Sequence, residues 1–363
     1  MAPLVCLNMI IKNESRIIER CLNAAKFAFD FVSITDTGST DNTVVTVENW
    51  LKTNNVQGKV HQRKWINFGA SRTESINLAK QAFPQAEYIL LLDADMCLVD
   101  KCFSREQLKA DAYLLIQTEG ALSYRNIRIV KASLPYKSIG CTHEYWGADG
   151  AKPPENLDTL YIDDRSDGGC KHDKLERDAN LLIQGIKDEP NNYRYFFYLA
   201  QTLACMGHYL DAAYWYKRRI EHDGYVEEKF YAMYKLADCY EQMKDYELAH
   251  YHYIRAWNHR PWRSEPLCAL AKMLVTNDKA LMRVAGCMYA KEAIKIAYPS
   301  QDGLFINDPD YSYNPWYYLS LGSYYIGEFA QGRVACQRVL EDPKAPEYMK
   351  EITRNNLKHY LGK

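Results

Sequence analysis

The chain has 363 residues, room for two domains with ordinary cores. Its 45 Lys and Arg nearly balance its 46 Asp and Glu, so charge gives no case for nucleic acid or a membrane surface as partner. Aromatics make up 13% of the residues, which excludes a disordered chain. Eleven cysteines, odd in number and scattered without a CxxC, read as free thiols rather than a secreted disulfide framework or a zinc site. The opening run "MAPLVCLNMIIKNE" has no basic region before it and no small-residue cleavage site after it, and no later segment reaches eighteen apolar residues. The expectation is a cytoplasmic protein without membrane insertion.

In chain order, "LVCLNMII" (4–11) reads as a strand, and "SRIIERCLNAAKFA" follows at helical spacing. "FVSIT" is a second strand. A second helix lies in "STDNTVVTVENWLKT", with Ser39, Thr40 or Asp41 as caps. "GKVHQRKW" is a third, polar strand suited to an edge. "FGASRTESINLAKQAF" is a third helix ended by Pro84, and Tyr88–Leu92 a fourth strand. This alternation predicts an α/β domain: a mostly parallel sheet, Rossmann-like, with helices on both faces. "AYLLIQ" and "YRNIRIVK" add strands without long helices between them.

From about residue 173 the pattern is helical. "YLAQTLACMGHYLDAAYWYKR" (198–218) aligns with "YKLADCYEQMKDYELAHYHYIR" (234–255), placing Ala200 on Ala237, Ala212 on Ala249 and Tyr216 on Tyr253, 37 residues apart. "YLSLGSYYIGEFAQGRVACQR" (318–338) repeats the pattern, and a weaker copy spans Leu270 to Ala293. Small residues at helix crossings with aromatics between them suit stacked helical hairpins, resembling tetratricopeptide repeats. The spacing exceeds the usual ~34, and Lys244 stands where Gly207 marks the first copy's turn. Expected boundaries are 1–172 for the catalytic domain, 173–189 for a connecting helix and 190–363 for the repeats.

The fourth strand ends in Asp93-Ala94-Asp95. Two aspartates spaced i and i+2 on a strand share a side, and ligands of open α/β sheets gather beyond the strands' carboxyl ends. Like charges there call for a hard divalent cation, Mg2+ or Mn2+, able also to hold a diphosphate. Alternatively the pair caps the next turn. Strand two brings Asp36 to the same edge, strand one Asn13 and Glu14, and the third helix Arg72, a residue able to stack on a base or hold a phosphate.

Taken together and in order, "LNMIIKNE", "ITDTGSTDNT", "FGASRTES" and "YILLLDADM" resemble family-2 glycosyltransferases of the GT-A fold, in the subgroup with a tetratricopeptide-like C-terminal half. The resemblance implies a UDP-sugar donor and inversion at the anomeric carbon. It implies that Asp36 contacts the base, Arg72 supports the nucleotide, and Asn13 and Glu14 border its pocket. Asp93 would touch the ribose or the metal, and Asp95 would ligate the metal. A third ligand is implied in 161–178, "YIDDRSDGGCKHDKLERD", which reads as a loop after the last strand; Asp163 or His172 is the candidate. Lys171 and Lys174 in that loop either meet the diphosphate or are simply solvated. "SIGCTHEYWG" offers Glu144 as proton acceptor with His143 as its orienter or a sugar contact, beside aromatic Tyr145 and Trp146, or else a β-hairpin with a half-buried pair; Asp164 and Asp167 are the reserve. The acceptor is open between glycan, protein and small sugar, and the repeats could pair two copies of the chain. Two other readings stay in view: an inactive domain on a helical scaffold, and a nucleotidyltransferase, which would need a glycine-rich loop where "IIKNESR" has none.

Overall fold

The computed structural model describes residues 2–120, 122–169, 174–276 and 280–362. The chain divides into two compact units, residues 1–185 and 186–363.

The first unit is built on a mixed sheet. Its strands are β1 (Val5–Ile11), β2 (Phe31–Asp36), β3 (Gln57–Gln62), β4 (Tyr88–Leu91), β5 (Met96–Asp100), β6 (Ala112–Glu119), β7 (Leu122–Lys131) and β10 (Glu155–Asp164), the short pair β8 (Lys137–Ile139) and β9 (Tyr145–Gly147) forming a separate hairpin. The order is β3-β2-β1-β4-β7-β6-β10-β5. Strands β3, β2, β1 and β4 run parallel, β7 and β5 run against their neighbours, and β10 is parallel to β6. The polar strand β3 is an edge, as its sequence predicts.

Helices α1 (Ile18–Ala25) and α2 (Thr43–Thr53) cover one face, α3 (Phe68–Ala82) the other. Alternation along β1 and β4 splits the core accordingly: Leu7, Met9 and Leu90 pack with Leu22 and Trp50, while Cys6 and Ile89 pack with Ile76 and Ala79. Burial on both faces explains the near-continuous apolar runs, and a side chain such as Leu90, fully buried, contributes roughly 1.5–3 kcal/mol. The polar exception Asn8 is satisfied, its Nδ2 donating to Ser33 O at 3.0 Å and Ser75 Oγ at 2.8 Å.

Three local expectations change. The cap positions expected for α2 precede it, and Asp41 accepts the Thr43 N–H at 3.0 Å. Strand β4 stops at Leu91, so Asp93 to Asp95 form the turn into β5, which the sequence reading missed. The segment expected as a loop from residue 161 begins as strand β10, through Asp164, zipped to β5.

Helix α4 (Lys174–Asp188) leads to hairpins α5 (Tyr193–Cys205)/α6 (Tyr209–Ile220), α7 (Val226–Gln242)/α8 (Tyr246–His259), α9 (Glu265–Val275)/α10 (Ala280–Ile294) and α11 (Tyr313–Tyr325)/α12 (Phe329–Glu341), closed by α13 (Glu347–Leu361). Ala200, Ala212, Ala237 and Ala249 are fully buried at the crossings, with Tyr216 and Tyr253 filling the slots between them. Gly207 and Gly327 turn their hairpins at φ +80° and +77°, and Lys244 adopts +62° at the equivalent turn, where glycine would be unstrained. Among the described residues no helix is long and apolar enough to cross a membrane.

Candidate active site

A cavity of about 750 Å³ opens at the carboxyl edge of the sheet, a size ordinary for a small-molecule site. Its wall collects the ends of co-directional strands: Lys12 after β1, Thr37 after β2, Asp93 after β4, Glu119 on β6 and Asp164 on β10. Tyr124 and Arg128 enter from β7, Trp65, Phe68 and Arg72 from the start of α3, and Lys174 and Arg177 from α4.

Asp93 is held by two arginines. Arg72 Nη2 lies 2.7 Å from Oδ1 and Arg128 Nη1 3.5 Å from Oδ2. Burial pushes the Asp93 carboxyl up, but the two guanidiniums outweigh it and hold the group below the usual carboxylate range. The Nε of Arg72 donates to Glu144 Oε1 at 2.7 Å, so one guanidinium joins α3 to the turn before β9. Close packing sets that helix: a Cβ on Gly69 would lie 2.2 Å from the Gly140 carbonyl oxygen, and the Ser138 N–H donates to Thr73 Oγ1 at 2.9 Å.

Asp95 points elsewhere. A Cβ on Gly168 would lie 3.2 Å from Asp95 Oδ2 and 3.4 Å from Glu14 Oε1, so the two carboxylates flank one spot. The Gly169 N–H donates to Glu14 Oε2 at 3.0 Å. Burial, then repulsion from Asp95, Asp93 and Asp41, pushes Glu14 up to about 7 despite that hydrogen bond. Asp93 and Asp95 therefore line one cavity but do not converge as strand alternation implied: leaving the strand at Leu91 sends one to the arginines and the other to Glu14. Among the described residues no three His, Cys, Asp or Glu side chains form a metal-ready group. Two crowded carboxylates fit an ion that completes its shell with phosphate oxygens and water, the habit of Mg2+.

The other expected residues divide. Asp36 is buried and accepts the N–H groups of Gly38 (3.3 Å) and Ser39 (3.2 Å), and its neighbour Thr37 reaches the cavity instead. Asn13 Oδ1 accepts the Thr40 N–H at 2.8 Å, which leaves Glu14 as the lining residue of that pair. Asp163 is not brought to the cavity: the β10 pleat turns it away from Asp164, and it pairs with Arg165 at 2.7 Å. Glu144 sits behind Arg72 and does not line the cavity, and His143 occupies the hairpin turn at φ +50°. Asp167 pairs with Arg20 at 2.6 Å. Lys171 and His172 lie outside the described residues. The sequence reading overlooked Gln117, Glu119, Tyr124 and Arg128. Their signal was spacing: Gln117 and Glu119 lie two apart on β6, and Tyr124 and Arg128 four apart on β7, so each pair shares a face, with Arg128 set between Ile127 and Ile129.

Residues 6–115 match the family described as Glycosyl transferase family 2. Over that segment the chain is similar to family-2 glycosyltransferases. The segment contains the strands and the α3 residues that carry Arg72, Asp93 and Asp95. An "Uncharacterized glycosyltransferase" of Rickettsia bellii (strain RML369-C) is 28% identical over 144 residues, 38% of this chain and 44% of its own length, so the chain spans less than half of that relative. Among solved structures, S. aureus TarS 1-349 in complex with UDP is 15% identical, covering 71% of this chain and 89% of its own, at a TM-score of 0.32. A tetratricopeptide repeat protein from Parabacteroides merdae ATCC 43184 is 12% identical, covering 53% and 68%, at 0.40.

Proposed function

We propose that the first unit transfers a sugar from a UDP-sugar to an acceptor hydroxyl, with inversion and with a divalent ion as cofactor. The observation that carries this reading is the division of labour at one cavity: Asp93 is matched by arginines, while the Asp95 and Glu14 carboxylates flank one spot. Mn2+ or Mg2+, when bound, would be held by Asp95 with Glu14 and supplies counter-charge for the leaving diphosphate. Lys174 and Arg177, one helical turn apart and lining the cavity, add positive charge to the same task. Asp36 holds the turn that presents Thr37, and Arg72 with Asp93 forms a fixed floor for the nucleotide.

In a single displacement the acceptor oxygen bonds to the anomeric carbon from the side opposite the diphosphate, whose C–O bond breaks with the electron pair leaving on phosphate oxygen. The acceptor proton needs a nearby base. We assign it to Asp164, which lines the cavity and is oriented by neutral donors, Gln117 Nε2 at 2.8 Å and the Ser166 N–H at 2.8 Å. Glu144, locked to Arg72, serves to place that arginine.

Thermal unfolding with UDP and Mn2+, together with hydrolysis of a panel of UDP- and GDP-sugars, tests the reading. A ligand at a hundred times its Kd stabilises by about 2.7 kcal/mol, so the melting point should rise and UDP-sugars should be cleaved. Hydrolysis of GDP-sugars alone would correct the donor. No shift and no hydrolysis would overturn the reading.

A further inference from the structure

The Asp93 carboxylate sits in a turn that does not itself orient the side chain, yet both its oxygens are engaged. Arg72 takes one from α3, and Arg128 takes the other from β7. Arg128 does a second thing: its Nη2 donates to Gln117 Oε1 at 2.7 Å. That contact fixes which way the Gln117 amide faces, and the amide's Nε2 then donates to Asp164 Oδ2 at 2.8 Å. The result is a continuous chain, Arg72–Asp93–Arg128–Gln117–Asp164, from the third helix across three strands. Arg128 and Gln117 are 7% and 2% exposed, so neither is free to swing.

We propose that Arg128 is a positioning residue for the transfer reaction: its two guanidinium arms set the Asp93 carboxylate and, through Gln117, the Asp164 carboxylate at a fixed separation across the cavity. The inference rests on the glycosyltransferase reading above and adds a residue to it. Charge neutralisation alone does not account for the arrangement, because Arg72 already faces Asp93 at the shorter distance. Stability alone does not account for it either. Arg128 Nε is buried with no hydrogen-bond partner among the described residues, a cost that an apolar side chain on the same strand would avoid. What a planar, forked cation adds over any simpler residue is a hydrogen bond and an ion-pair contact at a fixed angle, and a lysine cannot reproduce that.

The test uses the full chain and reads UDP affinity separately from the turnover number for UDP-sugar hydrolysis, with melting temperature as the folding control. Arg128→Lys keeps the charge and loses the fork. Gln117→Leu keeps the arginine and cuts the link to Asp164. Gln117→Leu is expected to hold UDP within about threefold of the parent, Arg128→Lys to weaken it more because Asp93 belongs to the nucleotide floor, and both to lose turnover by about 10–100-fold, the cost of a small misplacement at a reacting centre. The double variant Arg128→Lys/Gln117→Leu should be little worse than Arg128→Lys, because the two act in series. Parental turnover in Arg128→Lys, or losses that multiply in the double variant, would overturn the inference while leaving the transferase reading intact. A parent chain that neither binds UDP nor hydrolyses any sugar nucleotide would sink both.

Discussion

The two units treat buried charge in opposite ways. In the helical unit the large charge clusters among the described residues close on themselves. Arg263, fully buried, donates to Glu265 at 2.8 Å and lies 3.2 Å from Asp302, which Arg260 also holds. Arg219 faces Glu228 at 3.7 Å, and Arg194 closes on the same carboxylate. Even Asp310, which burial pushes up to about 6, has its oxygens held by the side-chain amides of Asn307 and Asn314, each at 2.7 Å. At the carboxyl edge of the sheet like charges crowd instead, Glu14 and Asp95 flanking one spot. Matched charge is what a fold needs to bury ions at tolerable cost. Crowded like charge destabilises a fold, and beside a cavity it is the arrangement that the proposed divalent ion would relieve.

This contrast can be broken experimentally, and the largest effect falls on activity. Asp95→Asn should lower sugar-nucleotide hydrolysis about 10³-fold, as removal of a group that holds the leaving diphosphate's counter-charge does, and should abolish the Mn2+-dependent shift in melting temperature. The same variant should unfold no earlier than the parent without metal, because it removes a repulsion. Removing a matched charge should do the reverse: Arg263→Met takes the arginine from buried Glu265, Asp302 keeping Arg260, and should cost about 3–5 kcal/mol in denaturant unfolding.

The smallest effect is a slope. Glu14 holds its proton to about pH 7 in the folded chain but only to its ordinary value of 4.5 when unfolded. Between those values the folded state binds more protons, so this group's contribution to stability falls as pH rises and is fully unfavourable above 7. Glu14→Gln should flatten melting temperature against pH across that window, and saturating Mn2+ should flatten it in the parent. An unchanged slope in Glu14→Gln would mean that the crowding lies elsewhere.

Much of this was legible in the sequence, and the reasons are physical. Strands buried on both faces write themselves as apolar runs, which is why β1, β2 and β4 were plain. Repeated Ala and Tyr positions exposed the helical hairpins for the same reason, since a crossing admits only small residues. The two strands at the far edge of the sheet were harder. β5 follows directly on the Asp93–Asp95 turn and went unassigned, and β10 runs into "DDRSD", so its end read as loop. Losing β10 blurred the difference between Asp163 and Asp164, which its pleat sends to opposite sides. The motifs placed Arg72, Asp93 and Asp95 at one cavity. They carried no information on which oxygen faces which arginine, because that depends on β7, more than thirty residues downstream.

Gly69 shows how tightly such a floor is tied to its surroundings. Helix α3 meets the Ser138–Gly140 backbone with no side chain between them, three residues ahead of Arg72. A single methyl group there, far from any reacting atom, would prise the helix off its seat and carry the guanidinium away from both its carboxylates. Gly69→Ala is thus a mutation that sequence reasoning would rank as helix-stabilising and that the packing makes a lever on the nucleotide floor.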